Sequence, residues 1–242
     1  MISAIKEVGN LSAITLSKTG ENHVKMGISN QDSISFESNE ENFVLVVSDG
    51  VGSCKYSDIG SKAAVSICVD LFREILDGKL NLDNTKIVSE LIQRWKGLFG
   101  ENCEEYCATL KLAIKIGNKL SLFSLGDGFV AVTSDGMRVI SPEENSSFTN
   151  ETKCLDARIT ASDIWTNNFT IDTNTSYVLM ACTDGVSNGI KTGDELAFAE
   201  EIEKNVGREV LMVELQEFLE VISEYCFDDK TLGVVKYEQQ NR

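Results

Sequence analysis

The chain has 242 residues, of which 38 are acidic and 22 basic, for a formal net charge of −16. A field of that sign repels nucleic acid and anionic lipid, so DNA, RNA and membrane-surface partners are not expected, whereas cation binding is compatible with it. With 42% hydrophobic and 25% charged residues, the composition is that of a globular chain able to bury a sizeable core.

In chain order, Met1–Asn10 has no apolar stretch followed by a small-residue cleavage site, so no secretory signal is expected. Ser12–Ser17 alternates as a strand, Phe43–Ser48 is a continuous apolar strand, and Ile59–Leu76 has helical spacing in Ala63, Ala64, Ile67, Leu71 and Ile75. Ile87 to Phe99 traces a second helical stripe. Strands then follow at Ala108–Ile116, Leu120–Leu125 and Phe129–Thr133, and Ser141–Thr152 is the clearest loop. Ser176–Cys182 and Leu232–Tyr237 read as strands, with a helix over Val210–Tyr225 between them. Helices in blocks beside closely spaced strands predict an α+β fold with mostly antiparallel sheets in layers. No apolar run is long enough to cross a bilayer. Seven cysteines without framework spacing read as reduced thiols in a cytoplasmic protein; Cys103 and Cys107, with no second ligand pair, read as small buried side chains.

Five Asp-Gly dipeptides occur. Asp77-Gly78 and Asp135-Gly136 stand in turn contexts. The other three follow buried-type strands, which deliver Asp49, Asp127 and Asp184 at their ends, where glycine lets the backbone turn. Asp228-Asp229-Lys230-Thr231 leads into a strand near the C-terminus, and Asn30-Gln31-Asp32 precedes a polar, strand-like stretch. Any one of these is explained by a hairpin turn. If the ends converge, however, their like charges repel unless cations fill the cluster. A set of oxygen donors without histidine or cysteine suits Mg²⁺ or Mn²⁺ above Zn²⁺. Two such ions roughly 3.5–4 Å apart can activate a bridging water and clamp a phosphoryl group.

The ordered motifs Asn30-Gln31-Asp32, Val46-Val47-Ser48-Asp49-Gly50-Val51-Gly52, Leu125-Gly126-Asp127-Gly128, Ala181-Cys182-Thr183-Asp184-Gly185-Val186 and Asp228-Asp229-Lys230-Thr231 resemble those of the protein phosphatase 2C (metal-dependent protein phosphatase) family, in its bacterial branch. The resemblance runs from about Ser12 to Tyr237. It implies a four-layer α/β/β/α sandwich with two central antiparallel sheets, in a single domain over residues 1–242. It also implies hydrolysis of phosphoserine and phosphothreonine in proteins by a water activated between two Mn²⁺ or Mg²⁺ ions. On this resemblance Asp49 bridges both metals, the Gly50 carbonyl binds one, and Asp184 and Asp228 bind the other. Asp32 holds metal-bound water and Asp127 helps hold a weak third ion. The segment Asn145–Asp172 occupies the place of a variable flap beside the site.

Three departures stand out. Gly27 replaces an arginine that grips the substrate phosphate in many members. Val51-Gly52-Ser53-Cys54 lacks the histidine proposed as general acid in many eukaryotic members. Asn188 replaces a second aspartate after Asp184. His23, the only histidine, lies just upstream of Gln31-Asp32 and is the candidate general acid. Lys25 is the rival for gripping phosphate, since strand alternation would put it on the same face as His23. The partners implied are a phosphorylated protein and a cognate serine/threonine kinase. The alternative reading is a pseudophosphatase, the same fold acting as a regulatory phosphoprotein-binding module. The retained carboxylates favour the enzyme.

Overall fold

The run Phe43–Val47 has no polar side, and such a strand must be covered on both faces. The computed structural model describes residues 1–142, 152–172, 174–205 and 208–239, and it covers this run with four layers. One sheet has the order β1 (Ile2–Val8), β2 (Leu11–Lys18), β11 (Lys230–Tyr237), β10 (Tyr177–Cys182), β7 (Phe129–Ser134) and β8 (Met137–Ile140). The other has the order β3 (Ser33–Asn39), β4 (Asn42–Ser48), β5 (Leu110–Ile116), β6 (Lys119–Leu125) and β9 (Trp165–Thr170). The strand pairings within both sheets are antiparallel.

Alternation along β4 assigns the layers. Phe43, Leu45 and Val47 pack between the sheets with Leu179, Ala181 and Val235. Val44 and Val46 point the other way, onto α2 (Ser57–Leu76) and α3 (Asn84–Phe99), against Leu71, Phe72, Leu91 and Trp95. The outer face of the first sheet, through Ile14, Leu16, Met180 and Val234, meets α5 (Glu195–Asn205) and α6 (Arg208–Ile222) at Ala199, Leu211, Leu215 and Leu219. Packing rather than capping holds these helices. No side chain caps the start of α2, yet it buries Ile67, Leu71, Phe72 and Ile75. Each of these contributes about 1.5–3 kcal/mol, against about 1 kcal/mol for a cap such as Asp83 on α3.

The expected α+β sandwich is therefore the observed one, and each predicted strand and long helix is present. Several elements differ from expectation, among them α5, which was not foreseen. Residues 21–26, read as extended, form the short helix α1 (Glu21–Met26). The edge strands β1 and β8 were not foreseen. β9 lies inside the expected flap: Trp165, Asn167 and Phe169 form its less exposed face as it pairs with β6, so this part of 145–172 is a sheet edge. Residues 145–151 of that expected flap lie outside the described residues, as does most of the loop expected over 141–152.

Candidate metal centre

The loops at one edge of the sandwich surround a cavity of about 600 Å³, lined by Asp49, Gly50, Asp127, Asp184, Asp228 and His23 among others. Asp49 leaves β4 with its backbone tied to the start of β5. Its N–H donates to Thr109 Oγ1 at 3.0 Å, and its carbonyl accepts from the Thr109 N–H at 2.8 Å. The Gly50 N–H donates to the Gln31 carbonyl at 3.2 Å, which brings the Asp32 segment alongside. A Cβ at Gly50 would fall 2.6 Å from the Ser57 carbonyl oxygen, and one at Gly185 would fall 1.9 Å from the Asp229 carbonyl oxygen. Neither glycine has a positive φ. They are required because backbone crowds against them, not because the chain turns left-handed.

Asp184 opens α4 (Asp184–Ser187), a single turn after β10, rather than a hairpin. Asp127 accepts a hydrogen bond from the Thr152 hydroxyl. Beside it, the buried Lys111 ammonium donates to the carbonyls of Leu125 and Gly126 at 2.9 and 2.7 Å. Asp228 accepts at Oδ1 from the Asp229 N–H at 2.8 Å. Asp32 is buried behind the cavity, where its Oδ2 accepts from Thr183 Oγ1 at 2.9 Å and its Oδ1 has no protein partner.

These acids are close enough to oppose one another's ionisation. Burial, then the charges of Asp32, Asp184 and Asp228, push Asp49 up to about 10. Burial pushes Asp32 up to about 7, while the neighbouring Asp49, Thr231 and Thr183 side chains pull it the other way. Asp184 is raised to about 6 by burial, then by Asp228 and Asp127. Such a group fits hard divalent cations: the donors are all oxygens, the carboxylates resist ionising together, and Asp32 Oδ1 lacks a partner. Among the described residues no three Asp, Glu, His or Cys side chains form a ready-made metal cluster.

The geometry brings His23 to the cavity wall and corrects the expectation for Lys25. In a helix, residues two apart point in nearly opposite directions, so α1 turns Lys25 away from the face His23 uses. Lys25 is exposed, pairs with Glu21 at 3.4 Å and lies 5.7 Å from the Phe227 ring centroid. It does not line the cavity. Gly27 caps α1 with φ 69°, a conformation in which an arginine would be strained.

Sequence reasoning missed Asp229. Its side chain is 1% exposed and accepts at Oδ1 from the Gly20 N–H at 2.7 Å, and at Oδ2 from the Gln31 N–H at 2.6 Å. The same Oδ2 lies 2.9 Å from His23 Nδ1. With its proton on Nδ1, the ring donates to that oxygen and Nε2 is its other polar atom. The signal was the second aspartate of Asp228-Asp229. Neighbouring residues point to opposite sides, so Asp228 lines the cavity and Asp229 anchors the loops behind it.

The chain matches the model of the protein phosphatase 2C family over residues 19–220. Its structure is similar to that of RsbX in complex with magnesium, with TM-score 0.69 and 14% identity, covering 98% of this chain and 100% of that one. It is also similar to the catalytic domain of the serine/threonine phosphatase PstP in complex with two manganese ions, with TM-score 0.67 and 16% identity over 94% and 97% of the two chains. The serine/threonine phosphatase of S. agalactiae gives TM-score 0.66 and 15% identity over 94% and 100%. At such identities these likenesses establish a shared fold. No individually curated protein matches the chain.

Proposed function

The chain belongs to the protein phosphatase 2C family, and from that premise we propose that it hydrolyses phosphoserine and phosphothreonine in proteins with two Mg²⁺ or Mn²⁺ ions held by Asp49, Gly50, Asp184 and Asp228. The observation that carries this reading is the convergence of Asp49, Asp184 and Asp228 on one cavity, where burial and then the neighbouring carboxylates raise Asp49 to about 10. The magnesium and manganese bound by RsbX and PstP support the choice of ion. When bound, the ions supply a water of lowered pKa and neutralise the phosphoryl oxygens.

The chain's own residues do the rest. Asp49, central to the cluster, would hold both ions. The Gly50 carbonyl contributes an oxygen, and its missing Cβ lets the Ser57 and Gln31 backbones close behind it. Asp32, through its unpartnered oxygen, would hold a metal-bound water, and Asp127 would help retain a weaker third ion. His23 carries the proton for the departing seryl or threonyl oxygen, and Asp229 orients its ring. The substrate is a phosphorylated protein, and the reaction that supplies it is that of a serine/threonine kinase.

A second reading, a pseudophosphatase that binds phosphoproteins, draws on one observation: no lysine or arginine lines the cavity among the described residues. Turnover of nitrophenyl phosphate and a phosphopeptide, with Mn²⁺ or with a chelator, separates the two. The enzyme reading predicts Mn²⁺-dependent turnover, lost on Asp49→Asn and kept in Asp135→Asn, whose side chain lies at a hairpin turn. Phosphopeptide binding without turnover in Mn²⁺ establishes the binding module instead.

A further inference from the structure

Three thiols meet behind the loop that carries Asp49. Isolated bridges pair Ala108 with Gly50 on one side and with Leu155 on the other. Cys107 therefore lies between the loop bearing Cys54 and the segment bearing Cys154. The Val51 N–H donates to the Cys107 carbonyl at 3.0 Å, and the Cys54 N–H folds back to the Val51 carbonyl at 2.8 Å. The Cys107 thiol neighbours both the Cys54 and the Cys154 thiols, and it donates to the backbone carbonyls of Glu104 at 3.3 Å and Cys103 at 3.9 Å. Cys107 is buried, whereas Cys54 and Cys154 are half-buried. All three are free thiols. This is the arrangement of an accessible thiol beside a buried resolving thiol.

We infer that Cys54, Cys107 and Cys154 form an oxidation site at which a hydroperoxide is reduced and Cys107 closes a disulfide with one of its two neighbours. The thiolate of Cys54 or Cys154 attacks the peroxide O–O bond, giving a sulfenic acid and releasing the other oxygen as water after proton uptake. The Cys107 sulfur then displaces the hydroxyl as a second water and forms the S–S bond. Two thiols and one hydrogen peroxide give one disulfide and two waters. Burial and the Cys107 contact hold the Cys54 thiol up at about 11, so this oxidation is slow and needs sustained peroxide. Either bridge reaches the metal centre. One to Cys54 tethers the loop that begins at Gly50. One to Cys154 shifts the segment whose Thr152 bonds Asp127.

The test is peptide mapping by mass spectrometry of protein treated with hydrogen peroxide, before and after dithiothreitol, with alkylation of free thiols. The expected result is Cys107 joined within one chain to Cys54 or Cys154, reversed by dithiothreitol. The bridge should be absent in Cys107→Ser and in the double variant Cys54→Ser/Cys154→Ser, which leaves the buried position intact if Cys107→Ser folds poorly. Alkylatable Cys107 in protein whose Cys54 or Cys154 has advanced to sulfinic acid overturns the inference, as do disulfides formed only between molecules. The regulatory part rests on the phosphatase reading. Nitrophenyl phosphate turnover should fall at least threefold on oxidation and recover with dithiothreitol, and unchanged turnover in fully bridged protein refutes that part. A chain with no turnover in any state defeats the phosphatase reading and leaves the mapping result standing.

Discussion

In metal-free protein, Asp49 holds a proton that the unfolded chain releases. Its carboxyl is raised to about 10 in the fold, from an ordinary 3.8. A group whose folded pKa is raised contributes stability below its unfolded value and loses it as pH rises toward the folded value. Stability of the metal-free protein should therefore fall through the neutral range. The loss is about 1.4 kcal/mol per pH unit for each proton so held, or about 3 kcal/mol from Asp49 between pH 6 and pH 8. For a chain of 242 residues, 1 kcal/mol moves the melting temperature by about 2 °C. Chelator-treated protein should then melt roughly 6 °C lower at pH 8 than at pH 6. Asp32, raised to about 7, adds to the drop below pH 7. Asp49→Asn removes the titrating group, so the variant should lose about this much less over the same interval. The groups facing Asp49 are the carboxylates of Asp32, Asp184 and Asp228, and they remain in both proteins. The difference between the two slopes thus reports Asp49 together with its coupling to Asp32. Mn²⁺ at about a hundred times its dissociation constant should reverse the effect in the parent, adding about 2.7 kcal/mol or roughly 5 °C. It should add nothing in Asp49→Asn. Scanning calorimetry on both proteins at both pH values measures all of this, and equal slopes for parent and variant would refute the reasoning.

The remaining predictions use the same assays. Gly185→Ala places a methyl against the Asp229 carbonyl and should cost about 1–3 kcal/mol by thermal melt, whereas Gly97→Ala, in an open position of α3, should gain about 0.5–1 kcal/mol. Asp127→Ala should leave the stabilisation by Mn²⁺ at saturation intact while lowering turnover at limiting metal; loss of that stabilisation would make Asp127 a ligand of the core ions. His23→Ala should reduce turnover of a phosphopeptide by about a hundredfold or more and that of nitrophenyl phosphate far less, because a good leaving group needs little protonation. Asp229→Asn should show the same split between substrates, since it loosens the His23 ring; equal losses on both esters would assign His23 to gripping phosphate.

What could be read from the sequence divides along physical lines. Strands buried on both faces announce themselves, since Phe43–Val47 and Tyr177–Cys182 have nowhere polar to point. β9, Trp-Thr-Asn-Asn-Phe-Thr, is mostly polar and pairs with only one neighbour, so its apolar signal is confined to Trp165 and Phe169. α1 buries no side chain and so carries no apolar periodicity. Its bounds are set by contacts the sequence cannot display. Gly20 sits where a Cβ would fall 2.3 Å from the Asp228 carbonyl carbon, and Gly27 is left-handed. Reading 21–26 as extended therefore sent Lys25 to the wrong side. Asp229 and the three thiols were hidden for a different reason: their partners are far away in sequence, and only the fold brings them together.

The Asp-Gly dipeptides show how far local text can carry a site. Asp77-Gly78 ends α2 and Asp135-Gly136 turns between β7 and β8; both glycines have positive φ, and nothing lies within 4 Å of where a Cβ would be. Any residue that tolerates a left-handed conformation could serve there, with asparagine the usual substitute. At Asp49-Gly50 and Asp184-Gly185 the φ values are ordinary, but the space is taken by the carbonyls of Ser57 and Asp229. No other residue fits without moving backbone. The dipeptide is the same, but what glycine supplies is freedom in the first pair and absence of volume in the second. The distinction was visible beforehand only through the buried strands preceding Asp49 and Asp184. A chain arriving from a fully buried strand has other backbone packed around its end, and that crowding is also what presses these carboxylates together.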